Sequence, residues 1–258
     1  MVQKRTAELR RMAIHGFESV AGSHNFYALL DFDITNLRKF LRQKRQAAEG
    51  GSLFSFIIKA IAKCLEEYPE FNSMINLKHT THFDEVDINI PIELEKNGIY
   101  YTKQNIIRNA NLKTVSEIAK EIDESKRNED DGEGFVDSKL VKAFLSILPN
   151  FIISLIFKLA LLDHKLVKKM SGTVFVTSVS MFSNIPGYVI PFIGGPKAVS
   201  FAIGSSAKKP VVYKNEITIK EMLNVTISFN HDLIDGAPAA RFVNKLRRYI
   251  ETNYEEIM

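Results

Sequence analysis

Apolar residues in this chain switch repeatedly between a two-residue period and a three-to-four-residue period, without the regular strand–helix–strand alternation of a parallel sheet. The pattern predicts an α+β fold, a mixed β-sheet sandwich with helices packed against the sheet. Residues 5 to 20 read as a helix and 24 to 33 as a strand, with Thr35 as the cap of a second helix carrying Leu37, Phe40 and Leu41. Gly50-Gly51-Ser52 breaks the chain before a helix to about Glu67. Strand-like segments follow near 73 to 78, 85 to 94 and 99 to 103, and Lys96-Asn97-Gly98 reads as a turn. Thr114 and Glu117 form a capping box that opens a helix through about Arg127. Strands are expected at about 173 to 180, 197 to 204, 210 to 213 and 224 to 230, ahead of a C-terminal helix. No short period repeats, which excludes a solenoid.

The stretch with the most chemical content is Ser228-Phe229-Asn230-His231-Asp232-Leu233-Ile234-Asp235-Gly236-Ala237. Leu223 to Phe229 are β-branched and apolar, whereas Phe242, Val243, Leu246, Tyr249 and Ile250 after Pro238 repeat at helical spacing, so His231 falls at a strand-to-helix corner. A neutral imidazole there can take a proton near neutral pH, its ordinary pKa being about 6.5. Asp235 is near enough in sequence to brace the corner, with Gly236 permitting backbone angles that other residues resist. Spacing alone fits an ordinary turn with a satisfied histidine equally well.

Bulk properties narrow the field. Of 258 residues, 45% are hydrophobic and 25% charged, as in a globular chain of one large domain or two small ones. The net charge of +4 comes from interspersed signs, which argues against nucleic-acid binding although the pI is near 9.0. Lys208-Lys209 and Arg247-Arg248 read as solvated pairs that can also attract phosphates. One cysteine excludes an internal disulfide, and Cys64 lies on the apolar face of a helix, as a core residue. The charged start lacks the apolar run of a secretory signal, so a cytoplasmic setting is expected.

His231-Asp232-Leu233-Ile234-Asp235-Gly236 resembles the H-x-x-x-D-G signature of the catalytic domain of 2-oxo acid dehydrogenase acyltransferases, the dihydrolipoamide acyltransferases, and of their relative chloramphenicol acetyltransferase. Gly172-Thr173-Val174-Phe175-Val176-Thr177-Ser178-Val179-Ser180-Met181-Phe182 resembles that family's strand with a hydroxyl at the reaction centre. Tyr68-Pro69-Glu70-Phe71-Asn72-Ser73 is similar to its P-E-x-N segment, and residues 106 to 122 to its I-R-N-A stretch. The likeness runs from about 5 to 253 and implies a single catalytic domain over 1–258, interrupted by an insertion at about 128–170.

The resemblance implies a coenzyme A-dependent acyltransferase with a chloramphenicol acetyltransferase-like fold. His231 would be the general base, and Thr177 would stand where the family has a serine that stabilises the oxyanion. Ser178 is the alternative, because strand register decides which hydroxyl points inward. Ser178 and Lys209 are the candidate coenzyme A contacts. Asp235 would form a structural ion pair with an arginine of the first helix, Arg10 or Arg11. Active sites in the family close between subunits of a trimer, so a homotrimer is expected, without a larger cage because the chain stops soon after its last helix. No lipoyl domain or Ala/Pro linker precedes the domain, so a dihydrolipoyl acceptor would come from a separate lipoyl protein, or a small molecule would take its place. A non-catalytic assembly or regulatory trimer is the alternative function.

The insertion is the most divergent part. Asn128-Glu129-Asp130-Asp131-Gly132-Glu133-Gly134 reads as an acidic loop, and 141–162 as an apolar helical pair broken at Leu148-Pro149. Lys142, Pro149, Asn150 and Lys158 interrupt it too often for a membrane span, so the pair is expected to cover the acyl pocket or a subunit interface, with a membrane surface as a less favoured role. His79-Thr80-Thr81-His82 lacks an established zinc pattern, so no metal is expected. Ile185-Pro186-Gly187 and Gly194-Gly195-Pro196 match no nucleotide motif and read as turns.

Overall fold

The computed structural model describes residues 14, 18, 22–46, 50–76, 79–96, 98–127, 148–179, 187–190 and 195–258. In chain order the elements are β1 (Asn25–Asp33), α1 (Thr35–Gln46), α2 (Leu53–Glu67), a 3-10 turn (Pro69–Phe71), β2 (Ser73–Ile75), β3 (Thr80–His82), β4 (Ile88–Lys96), β5 (Ile99–Ile107), α3 (Val115–Arg127), α4 (Asn150–Ala160), α5 (His164–Ser171), β6 (Val174–Ser178), β7 (Val199–Tyr213), β8 (Glu216–Asn230) and α6 (Gly236–Glu251). Six strands make one mixed sheet in the order β1-β8-β7-β6-β4-β5, parallel only where β6 meets β4 and β7. This is the α+β architecture that the periodicity predicts. Among the described residues no helix is long and apolar enough to cross a membrane.

Strand alternation sorts the sheet into two unlike faces. Toward the helices point Val174 and Val176, Phe201 and Ile203, and Leu223, Val225, Ile227 and Phe229, all buried. α2 fills the centre of that layer with Phe56, Ile57, Ile58 and Ile61, and Cys64 is buried there as expected. Ser52 starts α2 by accepting the Ser55 N–H at 3.0 Å. The capping box also forms: Glu117 N donates to Thr114 Oγ1 at 3.2 Å, and Thr114 N to Glu117 Oε2 at 2.7 Å. Thr35 does not cap α1. Its hydroxyl accepts from Glu221 N at 2.9 Å, tying the helix to β8, while Asp33 Oδ1 accepts the Thr35 N–H.

β7 and β8 are each fifteen residues long, so the segments read as 197 to 204 and 210 to 213 are one strand with a bulge between Ile203 and Ser206. Lys214 and Asn215, both at positive φ, turn the hairpin. Below the sheet, α5 docks on the β2–β3 ribbon, with His164 Nδ1 2.7 Å from Thr81 Oγ1 and Lys168 Nζ 2.7 Å from Glu85.

Candidate active site

The corner after β8 is built from backbone hydrogen bonds. The Asn230 carbonyl accepts from Leu233 N at 3.1 Å and Ile234 N at 2.9 Å, while its side chain accepts from Asp232 N at 3.0 Å. His231 N donates to the His24 carbonyl at 2.6 Å, pinning the corner to the start of β1. The imidazole leans on Phe26, ring centroids 4.9 Å apart, and remains 55% exposed. It is thus oriented on one side and open to a substrate on the other.

Asp235 lies 3.7 Å from His231 Nδ1, beyond hydrogen-bond distance, and is 84% exposed. It is the residue before α6 but makes no side-chain cap. Gly236 is not at positive φ and a Cβ there would meet nothing within 4 Å, so the corner does not use the backbone freedom that glycine permits. Arg10 and Arg11 lie outside the described residues. On the far side of the corner, Asp232 meets His24 at 2.9 Å.

Thr177 sits near the end of β6, paired with Ala202, which pairs with Thr226. Its alternation with buried Val176 sends its side chain to the face away from the helices, whereas Ser178 shares the helix face with Ile203. That outer face is polar and yet buried. Ser200 Oγ, Thr226 Oγ1, Ser228 Oγ and both side-chain polar atoms of Asn224 have no hydrogen-bond partner. Leaving such a group unpaired costs about 1–3 kcal/mol, so a buried row of them is a costly feature of this face.

Within one chain His231 and Thr177 stay apart. Two inter-strand steps and five residues along β8 separate them, on the order of 20 Å at about 4.8 Å per strand and 3.4 Å per residue. The base and the hydroxyl cannot serve one reacting carbon in a lone chain.

β6 is positioned from beneath by residues whose role sequence reading missed. Thr173 N and Val174 N both donate to the Asp87 carbonyl, at 2.7 and 3.1 Å. The buried Asp87 carboxylate accepts from Arg108 Nη1 at 3.0 Å and from Asn109 N at 3.0 Å. Arg108 also donates to the Lys168 and Lys169 carbonyls, at 3.0 and 2.6 Å, fixing the end of α5. Arg108 and Asn109 stand in the I-R-N-A stretch, the signal that could have found them.

A cavity of about 630 Å³ opens on the helix face beside β7 and β8. Arg38, Arg45, Lys126 and the Gly50-Gly51-Ser52 entry to α2 line it, and Ile203, the register partner of Ser178, is part of its wall. Arg45 and Lys126 beside a helix N-terminus suit a phosphate-bearing ligand, while Asp123 also lines the cavity and Arg38 is paired with Glu221 at 2.9 Å. Lys209, by contrast, is held by both Asp31 oxygens at 3.0 Å and lies over Tyr188.

The sequence matches the family described as 2-oxoacid dehydrogenases acyltransferase (catalytic domain) over residues 3–134 and 162–258. The chain belongs to this acyltransferase family. The match omits 135–161, which contains all of α4. Among curated relatives, the chain is 25% identical over 232 residues to the lipoamide acyltransferase component of the branched-chain alpha-keto acid dehydrogenase complex of Bacillus subtilis, covering 88% of this chain and 46% of that one. It is 25% identical over 256 residues to the dihydrolipoyllysine-residue acetyltransferase component of the pyruvate dehydrogenase complex of Rickettsia conorii, covering 98% and 51%. The chain therefore spans about half the length of these acyltransferases. The dihydrolipoamide acetyltransferase of Azotobacter vinelandii, studied for the catalytic role of a serine, a histidine and an asparagine, has the same fold, with TM-score 0.71, 18% identity and coverage of 100% and 95%.

Proposed function

We propose that the protein transfers acyl groups between coenzyme A and a dihydrolipoyl thiol, at sites completed between copies of the chain. The carrying observation is the separation of an accessible His231 from Thr177 by about 20 Å on one sheet, with the intervening polar face unpartnered. A neighbouring copy in a trimer that sets its His231 corner beside the Thr177 end of β6 brings base and hydroxyl together. The Azotobacter acetyltransferase was studied through a serine, a histidine and an asparagine, the last two four residues apart as His231 and Asp235 are here.

The chemistry balances with these groups alone. His231 takes the proton of the attacking thiol, whose sulfur adds to the thioester carbonyl carbon. The Thr177 hydroxyl donates to the resulting oxyanion. As the bond to the leaving sulfur breaks, His231 returns the proton to that sulfur. Arg45, Lys126 and the N-terminus of α2 would hold the phosphates of coenzyme A, with Ser178 near the inner wall of that cavity.

The test is thioester exchange between acyl-coenzyme A of increasing chain length and dihydrolipoamide. His231→Ala is expected to abolish turnover, and Thr177→Val to lower kcat by about 10²–10³. Co-refolding the two inactive variants in equal amounts should restore about a quarter of wild-type activity, because random trimers pair an intact histidine with an intact threonine at that fraction of interfaces. No restoration in a folded oligomer overturns the shared site. A folded wild-type trimer with no turnover favours the assembly role.

A further inference from the structure

α4 carries an apolar stripe on its outer side. Phe151, Leu155 and Leu159 follow one another at four-residue spacing and are 73%, 54% and 57% exposed, and Leu162 in the next turn is 53% exposed. Ile153 on the opposite side is fully buried and anchors the helix to the domain. Phe151, Leu155 and Leu159 lie in the segment outside the family match, so most of the stripe belongs to what this chain adds to the shared catalytic core.

Charge identifies the occupant. Between 150 and 171 the chain has four lysines, Lys158, Lys165, Lys168 and Lys169, and one acid, Asp163. Lys168 is engaged by Glu85, while Lys158, Lys165 and Lys169 are exposed, Lys158 within the stripe. An apolar stripe that holds Lys158 and is followed on α5 by the exposed Lys165 and Lys169 suits the acyl boundary of an anionic bilayer, with lysine stems reaching to the headgroups. At eleven residues α4 is about 16 Å long, half of what a hydrocarbon core requires, so it lies along a surface and does not span it.

We infer that α4 is a membrane-surface anchor that seats the enzyme on anionic lipid through Phe151, Leu155, Leu159 and Leu162. Weak, reversible attachment is expected, since the apolar contact is small and the electrostatic part is screened by salt.

The experiment is flotation of the full chain with vesicles of phosphatidylcholine containing roughly one-third phosphatidylserine, or of phosphatidylcholine alone. Expected are binding to the anionic vesicles, at least about tenfold weaker binding by Leu155→Ser/Leu159→Ser, and a loss of about fivefold per charge in Lys165→Glu/Lys169→Glu. Circular dichroism and sedimentation velocity accompany each variant, and both are expected to keep wild-type turnover without vesicles, which separates this idea from the catalytic one. Absence of vesicle binding, or equal binding to neutral vesicles, overturns the anchor. So does a fall in oligomer mass in the leucine variant, which would assign the stripe to a second copy of the chain.

Discussion

Replacing Arg108 with methionine tests how β6, and with it Thr177, is held. The change removes three donated hydrogen bonds, to Asp87 and to the carbonyls of Lys168 and Lys169, while keeping the apolar stem. Asp87, only 5% exposed, is left with the Asn109 N–H and no countercharge. Breaking a buried pair in this way costs about 3–5 kcal/mol. Arg108 is itself 34% exposed, so water screens part of the interaction and the low end, about 3 kcal/mol, applies. For a domain of this size that corresponds to a Tm lower by roughly 6–12 °C in differential scanning calorimetry. The double variant with Asp87→Asn removes the stranded charge and should be less harmful than the sum of the single changes by more than about 1 kcal/mol. A drop below about 2 °C for Arg108→Met, or strict additivity in the double variant, refutes the claim that the pair organises this corner.

Other outcomes follow from single features. Gly172, at φ 64° and ψ −178°, connects α5 to β6, and a Cβ there would stand 2.5 Å from the Asp87 carbonyl oxygen. Gly172→Ala should therefore cost more than the about 1–3 kcal/mol of the backbone conformation alone, measured by urea unfolding. His164 is buried, and that burial lowers its pKa below the ordinary histidine value. Its neutral form is the folded one, so stability is intact above about pH 6.5 and falls as the pH drops below that, where the unfolded chain takes up the proton first, and His164→Gln should flatten unfolding free energy over that acid limb. Arg45→Glu with Lys126→Glu should raise the KM for acyl-coenzyme A at least about tenfold with kcat little changed, and an unchanged KM would remove the cavity from coenzyme A binding.

The local signals in the sequence were sound where one short segment contains its own physics. The capping box needs only Thr114 and Glu117, the core position of Cys64 only helical spacing, and the His231 corner only the change from strand to helix period. Thr35 shows the limit, since a hydroxyl suited to a cap was claimed by Glu221 of a strand 186 residues away. Nearness in sequence likewise pointed to Asp235 as a brace of the His231 corner, but its side chain is 84% exposed and 3.7 Å from the imidazole.

By itself the sequence determined the strand or helix period of most described segments and placed a histidine and a hydroxyl in stretches that resemble the family's motifs. Tertiary structure alone decided their relation. Register against Ala202 and Ile203 sent Thr177 and Ser178 to opposite faces, because a strand's side chains alternate while its partners set the phase. Strand order placed Thr177 and His231 at a distance no single chain closes, and it lined up Ser200, Asn224, Thr226 and Ser228 on one unpartnered face. Non-local pairing carries that information, and no window of sequence contains both members of such a pair.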